Sequence, residues 1–296
     1  MDPLDNESVL LAFDQPPRRV VSLIPSMTES LYDMGVGDRL VGITDFCQPK
    51  NGTGALLTRV GGTRSPDIEA VRRLAPALVI ANREENSRDA VDGLGQVGMT
   101  IWLTFPKSTL DALNLLWTLV KLFKLGEQAA RVETMARTLD WTDRATTGRL
   151  AIPTFCPIWQ GEKSDHGPWF MTFNYQTYAH DVLAKSGGMN VFAGRMRRYP
   201  LEADLGLGEA EAAGERDIRY PRVTLEEVRK SAPDVILLPS EPFAFDENHK
   251  VLIEGWLADT PAVQAGRVHL IDGSLITWHG TRMGKALSEL PVFFHR

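Results

Sequence analysis

Apolar residues in this chain fall into short continuous runs, and helically spaced stretches separate them. One such pair of patterns occurs twice. The first copy runs from Pro66 to Ile80 and the second from Val223 to Leu237, with Glu, Val, Arg, Ala and Pro recurring at one constant offset. In each copy Asp67 or Thr224 is placed to cap a short helix, and Thr224 has capping-box spacing with Glu227. The helix would bury Ile68, Val71 and Leu74 in one copy and Leu225 and Val228 in the other. Pro76 or Pro233 then ends it, and an apolar strand follows directly. Each copy is one αβ unit, and a unit repeated about half a chain apart predicts two lobes of similar build.

The rest of the pattern fits the same plan. Val20 to Ile24 has the composition of a buried parallel strand. Ser26 and Glu29 then have capping-box spacing, which predicts a helix reaching Met34 and ending at Gly35. A strand running straight into a helix puts the backbone N–H groups of Ser26, Met27 and Thr28 at the strand's carboxyl end, where open α/β sheets bind ligands. Leu40 to Ile43 is a second strand, followed by a loop with Phe46 and Cys47. Val60 to Arg64 is another loop, carrying Thr63 and Arg64. After the first repeat come a helix from Arg88 to Gln96 and a strand from Thr100 to Leu103. This alternation defines a doubly wound first lobe over residues 16–107.

Residues 108–148 form the connection. Ser108 opens an apolar helix through Phe123, and a second helix from Glu127 to about Arg144 would be roughly 27 Å long. That helix is either a bridge between lobes or a surface helix of the first. The second lobe covers residues 149–296. It begins with a strand from Leu150 to Cys156, where Pro153 suits a sheet edge, and continues through an aromatic-rich loop from Trp159 to Phe173. A helix over Tyr178 to Lys185 follows. The acidic stretch Glu202 to Asp217 is expected to be a mobile surface loop. The second repeat, a helix from Glu247 to Leu257, a strand from Val268 to Ile271, the turn around Trp278 and His279, and a last helix complete the chain.

Composition narrows the function. With 43% hydrophobic and 24% charged residues in 296, the chain can build two cores. A net charge of −6 and the lack of basic clusters among aromatics argue against nucleic acid as a partner. The two cysteines, Cys47 and Cys156, are too few for a disulfide framework or a zinc site. The first residues are acidic where a secretion signal would be basic, and no apolar run reaches the roughly 20 residues of a membrane span. A soluble chain is expected.

Catalytic motifs are missing: there is no G-x-S-x-G, H-E-x-x-H or G-x-G-x-x-G. His166 and His279 fall in loops expected at a cleft, but no metal set forms around them, so the expectation is a non-enzymatic protein without a metal site or cofactor.

Together, Arg19 to Glu29, Gly37 to Thr44, Gly61-Gly62, Pro66 to Ile80 and Gly187 to Phe192 make the chain resemble the class III periplasmic-type solute-binding proteins, also called helical-backbone metal receptors. The resemblance is nearest to the cobalamin-binding members that serve vitamin import ABC transporters. It covers roughly residues 16–295. It implies two doubly wound α/β lobes joined by one long α-helix, with a ligand cleft between the lobes. It also implies a docking role for one glutamate per lobe, Glu69 and Glu226, on arginines of a permease dimer; an acid in a helix's first turn has the same appearance, and both readings stay open.

The implied ligand is a large metal chelate, cobalamin first, held as cargo by a monomer. A ferric siderophore or haem is the alternative, and a corrinoid-handling or regulatory protein of the cytoplasm is another. The family implies the periplasm or cell surface; with an acidic start and no lipid-attachment cysteine in the sequence, either it is a processed form or this member works in the cytoplasm. A broad flat ligand wants aromatic surfaces with a few polar anchors. The candidate ligand-binding residues are Ser26, Met27, Thr28, Phe46, Cys47, Thr63, Arg64, Trp159, Trp169, Phe170, Tyr175, Phe243, Trp278 and His279.

Overall fold

In a computed structural model, residues 2–49, 57–148, 150–164 and 167–295 are described. The chain forms two compact units, one of residues 1–137 with Trp278–Gly284 and the other of Thr138–Thr277 with residues 285–296. The connecting residues 108–137 therefore belong to the first unit, and so does a short segment near the chain's end.

The first unit contains α1 (Asn6–Leu11), β1 (Val20–Ser22), α2 (Pro25–Asp33), β2 (Leu40–Ile43), β3 (Thr58–Arg59), α3 (Ile68–Arg73), β4 (Leu78–Asn82), α4 (Arg88–Gln96), β5 (Ile101–Thr104) and α5 (Thr109–Leu122). Its strands pair in parallel in the order β3-β2-β1-β4-β5. The chain moves outward from β1 to β2 on one side and to β4 on the other, so the order reverses between β1 and β4. That reversal is the topological switch point, where the loops after the two strands part and leave a crevice. Val21, Leu23, Val79, Ala81 and Ile101 from the strands pack on Val71, Val91 and Leu94 from the helices.

The 18-residue helix α6 (Ala129–Thr146) runs from the first unit into the second. The second unit contains β6 (Ile152–Phe155), β7 (Trp159–Ser164), β8 (Gly167–Met171), α7 (Tyr178–Lys185), β9 (Gly188–Asn190), α8 (Leu201–Asp204), β10 (Arg222–Thr224), α9 (Leu225–Ser231), β11 (Val235–Pro239), α10 (Glu247–Trp256), α11 (Pro261–Gln264), β12 (Val268–Ile271), α12 (Ser274–Thr277) and α13 (Arg282–Glu289), whose first turn belongs to the first unit. Its parallel sheet has the order β12-β11-β6-β9, with a switch point between β6 and β11. Phe155, Ile236, Leu238 and Val268 form its core with Val228, Ile253 and Leu257.

Four expectations change. Pro153 lies in an interior strand, one residue before the first β6–β11 pair, where its carbonyl accepts the Asp234 N–H at 2.8 Å and its missing donor breaks no ladder bond with β11. The aromatic stretch expected as a loop is the hairpin β7–β8, extended by β10 into an antiparallel sheet. Ser26 does not cap α2: the cap position is Ile24, Pro25 takes the first helical position, and the Glu29 carboxylate is engaged by Arg282.

The acidic insertion is a folded piece rather than a free loop. Asp204, fully buried, accepts the backbone N–H groups of Arg198 at 2.9 Å and Arg222 at 2.8 Å, and pairs with Arg195 at 3.0 Å. Arg197 and Arg216 each place a guanidinium 4.2 Å from the Tyr199 ring centre.

Candidate functional site

At the switch point of the first unit, the end of β4 turns on an amide hub. Asn86 Oδ1 accepts the Asn82 N–H at 2.7 Å, while Asn86 Nδ2 donates to Thr63 O at 2.7 Å and Leu23 O at 3.2 Å. Asn82 Oδ1 accepts the Glu84 N–H at 2.7 Å, and its Nδ2 donates to Thr104 Oγ1 at 3.2 Å. The ends of β1, β4 and β5 and the loop at Thr63 are thereby tied together through buried groups, each satisfied by the next. Neither asparagine was singled out in the sequence. The only signal was an Asn ending an apolar strand four residues before another.

Beside this hub, Thr28 Oγ1 lies 2.9 Å from Ile24 O and Ser22 Oγ and 3.1 Å from Cys47 Sγ, which Thr44 Oγ1 also approaches to 3.1 Å. Met27, Thr28 and Cys47 are fully buried. Burial pushes the Cys47 thiol up, so it stays protonated and inert at neutral pH. These three residues are framework beneath the strand ends. Ser26 is also buried, and its hydroxyl has no partner among the described residues. Phe46 is 62% exposed, and its ring stands next to Gly62. Arg64 is exposed, Thr63 half-buried, and the Arg64 carbonyl is fixed by the Ser87 hydroxyl at 2.7 Å.

Trp278 and His279 reach the same unit from near the end of the chain. Trp278 is half-buried, with the Arg282 guanidinium 5.3 Å from its ring centre. His279 is buried, with Nε2 3.4 Å from Asn82 Nδ2, and burial lowers its pKa to about 4. It is a neutral imidazole at physiological pH.

In the second unit the switch point is aromatic. Trp159 follows β6 and Phe243 follows β11, and the two rings meet edge to face at 5.4 Å. Phe243 also packs on Phe245 at 4.7 Å and on His249 at 5.1 Å, and His249 is held by the capping carboxylate of Asp246 at 2.6 Å. Strand alternation separates Trp169 from Phe170. Trp169 lies across Gly161, its direct partner on β7, where an added Cβ would come within 1.9 Å of the indole. Phe170 points the other way, fully buried against Phe155, and its ring is core rather than ligand surface. Tyr175 is 53% exposed and accepts Gln176 Nε2 at 3.1 Å.

Glu69 and Glu226 occupy the first turns of α3 and α9 and are exposed. Each is engaged on its own helix, Glu69 by a two-point contact with Arg72 at 2.7 and 2.8 Å and Glu226 by Lys230 at 2.7 Å. Those hydrogen bonds hold both carboxyls below the usual range. His166 lies outside the described residues. Among the described residues, no group of three or more His, Cys, Asp or Glu is placed to hold a metal ion.

Two α/β units with matching switch points and one continuous helix between them define the fold of the class III periplasmic-type solute-binding proteins, the family that the motifs resemble. Among solved structures, the chain is similar to the periplasmic vitamin B12 binding protein BtuF of Vibrio cholerae, with a TM-score of 0.70, 21% identity and coverage of 94% of this chain and 96% of that one. A periplasmic heme binding protein from Pseudomonas aeruginosa gives a TM-score of 0.68 at 19% identity, over 94% and 92%. In sequence, the chain is 26% identical over 288 residues to the vitamin B12-binding protein of Vibrio cholerae serotype O1, spanning 96% of this chain and 91% of that protein. No family model matches the chain.

Proposed function

We propose that this chain is a solute-binding protein of the ABC-transporter type that captures a corrinoid, cobalamin first, and performs no chemical step on it. The observation that carries the reading is the similarity, over nearly the whole chain, to proteins named for vitamin B12 binding. The two switch points support it. One offers a satisfied polar hub beside Phe46, Thr63, Arg64 and Trp278, and the other offers the Trp159–Phe243 pair, with Trp169 and Tyr175 elsewhere in the same unit. Aromatic faces with a few polar anchors suit the broad, amide-fringed corrin. Cobalamin is cargo here and not a cofactor.

Delivery to a permease dimer through Glu69 and Glu226 belongs to the same proposal, as does action as a monomer. Among the described residues no helix is long and apolar enough to cross a membrane, which fits a protein that meets its transporter from outside the bilayer. The test is direct. Purified protein mixed with cyanocobalamin should carry its visible absorbance through gel filtration, with haem and a ferric siderophore run in parallel. Haem is the second reading, favoured by structural neighbours named as heme-binding. Co-elution of haem or the siderophore, with cobalamin left behind, would replace the ligand while keeping the class.

A further inference from the structure

Helix α2 presents an unusual face to the segment Trp278–Gly284, which is part of the same unit. Ser26, Glu29, Ser30 and Asp33 follow the spacing i, i+3, i+4, i+7 and share one side of the helix. Ser26, Glu29 and Ser30 are buried. Apolar residues normally fill such a stripe, because buried polar atoms are costly unless paired.

The segment supplies partners. Arg282 donates from Nε and Nη2 to the two oxygens of Glu29 at 2.8 and 2.6 Å. The Thr281 N–H donates to Ser30 Oγ at 3.1 Å, and the Thr281 hydroxyl donates to Asp33 Oδ2 at 2.8 Å. Gly280 has φ of +78°, and a Cβ there would sit 2.2 Å from Ser30 Oγ, so the backbone comes up against α2 where no side chain fits. On the other side, His279 rests against Asn82 at the end of β4. Trp278 adjoins His279, and the Arg282 guanidinium packs on its ring.

We propose that Glu29 and Arg282 form a positioning pair: their two-point contact fixes the plane of the guanidinium, and that plane holds the Trp278 ring in one orientation for the ligand. This rests on the solute-binding reading and gives a role to two residues outside the site as first drawn. A planar fork can set a ring's orientation in a way that a rotating ammonium cannot.

The test uses the full chain with Arg282→Lys and Glu29→Gln, and with Trp278→Phe to assign the Trp278 indole N–H resonance. Both variants should shift and broaden that resonance without ligand and weaken cyanocobalamin by about three- to tenfold in calorimetry. A lowered melting temperature with an unmoved resonance and unchanged affinity would reduce the pair to a structural staple and overturn the proposal. If the wild-type chain binds no cobalamin, the corrinoid reading fails separately, and the ligand-free resonance still decides the positioning role. Should Glu29→Gln not fold, Arg282→Lys, which keeps the charge, carries the test.

Discussion

Ala75 and Ala232 hold the same left-handed backbone, with φ of +42° and +44°, at equivalent places in the two copies of the repeated αβ unit. Each ends its short helix just before a proline. A left-handed conformation is strained for alanine and free for glycine.

Ala75→Gly and Ala232→Gly should therefore stabilise the protein slightly. Relief of the left-handed strain is worth roughly 1–2 kcal/mol, and the greater freedom of the unfolded chain takes back roughly 0.4–1 kcal/mol. A net gain on the order of 0.5 kcal/mol in urea unfolding is expected. Ala70→Gly, inside α3, should instead cost about 1 kcal/mol. Equal losses at all three positions would refute the strain.

The neighbours Trp169 and Phe170 should separate binding from folding. Phe170→Ala empties a core position and should cost about 3–5 kcal/mol of stability. Trp169→Ala should spare most of the stability and weaken cobalamin by about 1–3 kcal/mol if the indole meets the ligand. Unfolding curves and gel filtration on both variants read the two effects.

The helices and parallel strands were legible because their signals are local. The second repeat carried its own capping box, which forms as expected between Thr224 and Glu227, and the helices at Arg88–Gln96 and Tyr178–Lys185 begin beside their capping residues Ser87 and Thr177. What escaped depends on pairing over distance. Gly161 opposite Trp169 makes a hairpin from a stretch that reads as a loop, and Asp204 becomes a hub only once Arg195, Arg198 and Arg222 fold around it. The polar stripe Ser26, Glu29, Ser30 and Asp33 was visible at helical spacing, but its partners lie about 250 positions away.

Among the described residues, Glu69 and Glu226 make exposed pairs along their own helices, and such pairs add little to stability. Replacing both with Ala should leave melting temperature and ligand affinity nearly unchanged. Transport in a reconstituted system should be lost if they dock on a permease. Full transport by the double variant would return them to first-turn acids.

The buried imidazole of His279 should make stability fall with acid. Its folded pKa, about 4, lies below the ordinary value near 6.5, so the unfolded chain takes up a proton that the folded chain refuses. Stability from this group is fully present above pH 6.5 and is lost as pH falls towards 4, by an amount on the order of 3 kcal/mol. His279→Gln should remove that slope between pH 6.5 and 4 in urea titrations. An unchanged slope would mean that other groups govern the acid response.

Asp204 should decide whether the insertion stays folded. Its carboxylate is buried among two backbone donors and the Arg195 guanidinium, which also reaches Glu227 at 3.1 Å beside the cap of α9. Removing one member of a buried ion pair strands the other, at a cost of about 3–5 kcal/mol. Asp204→Ala should therefore release amide protection through residues 195–222 in hydrogen exchange, while the first unit keeps its protection. Asp204→Asn keeps the shape and part of the hydrogen bonding but loses the charge, and it should fall between the two. Uniform protection across all three proteins would show that Tyr199 and its flanking arginines hold the insertion without the carboxylate.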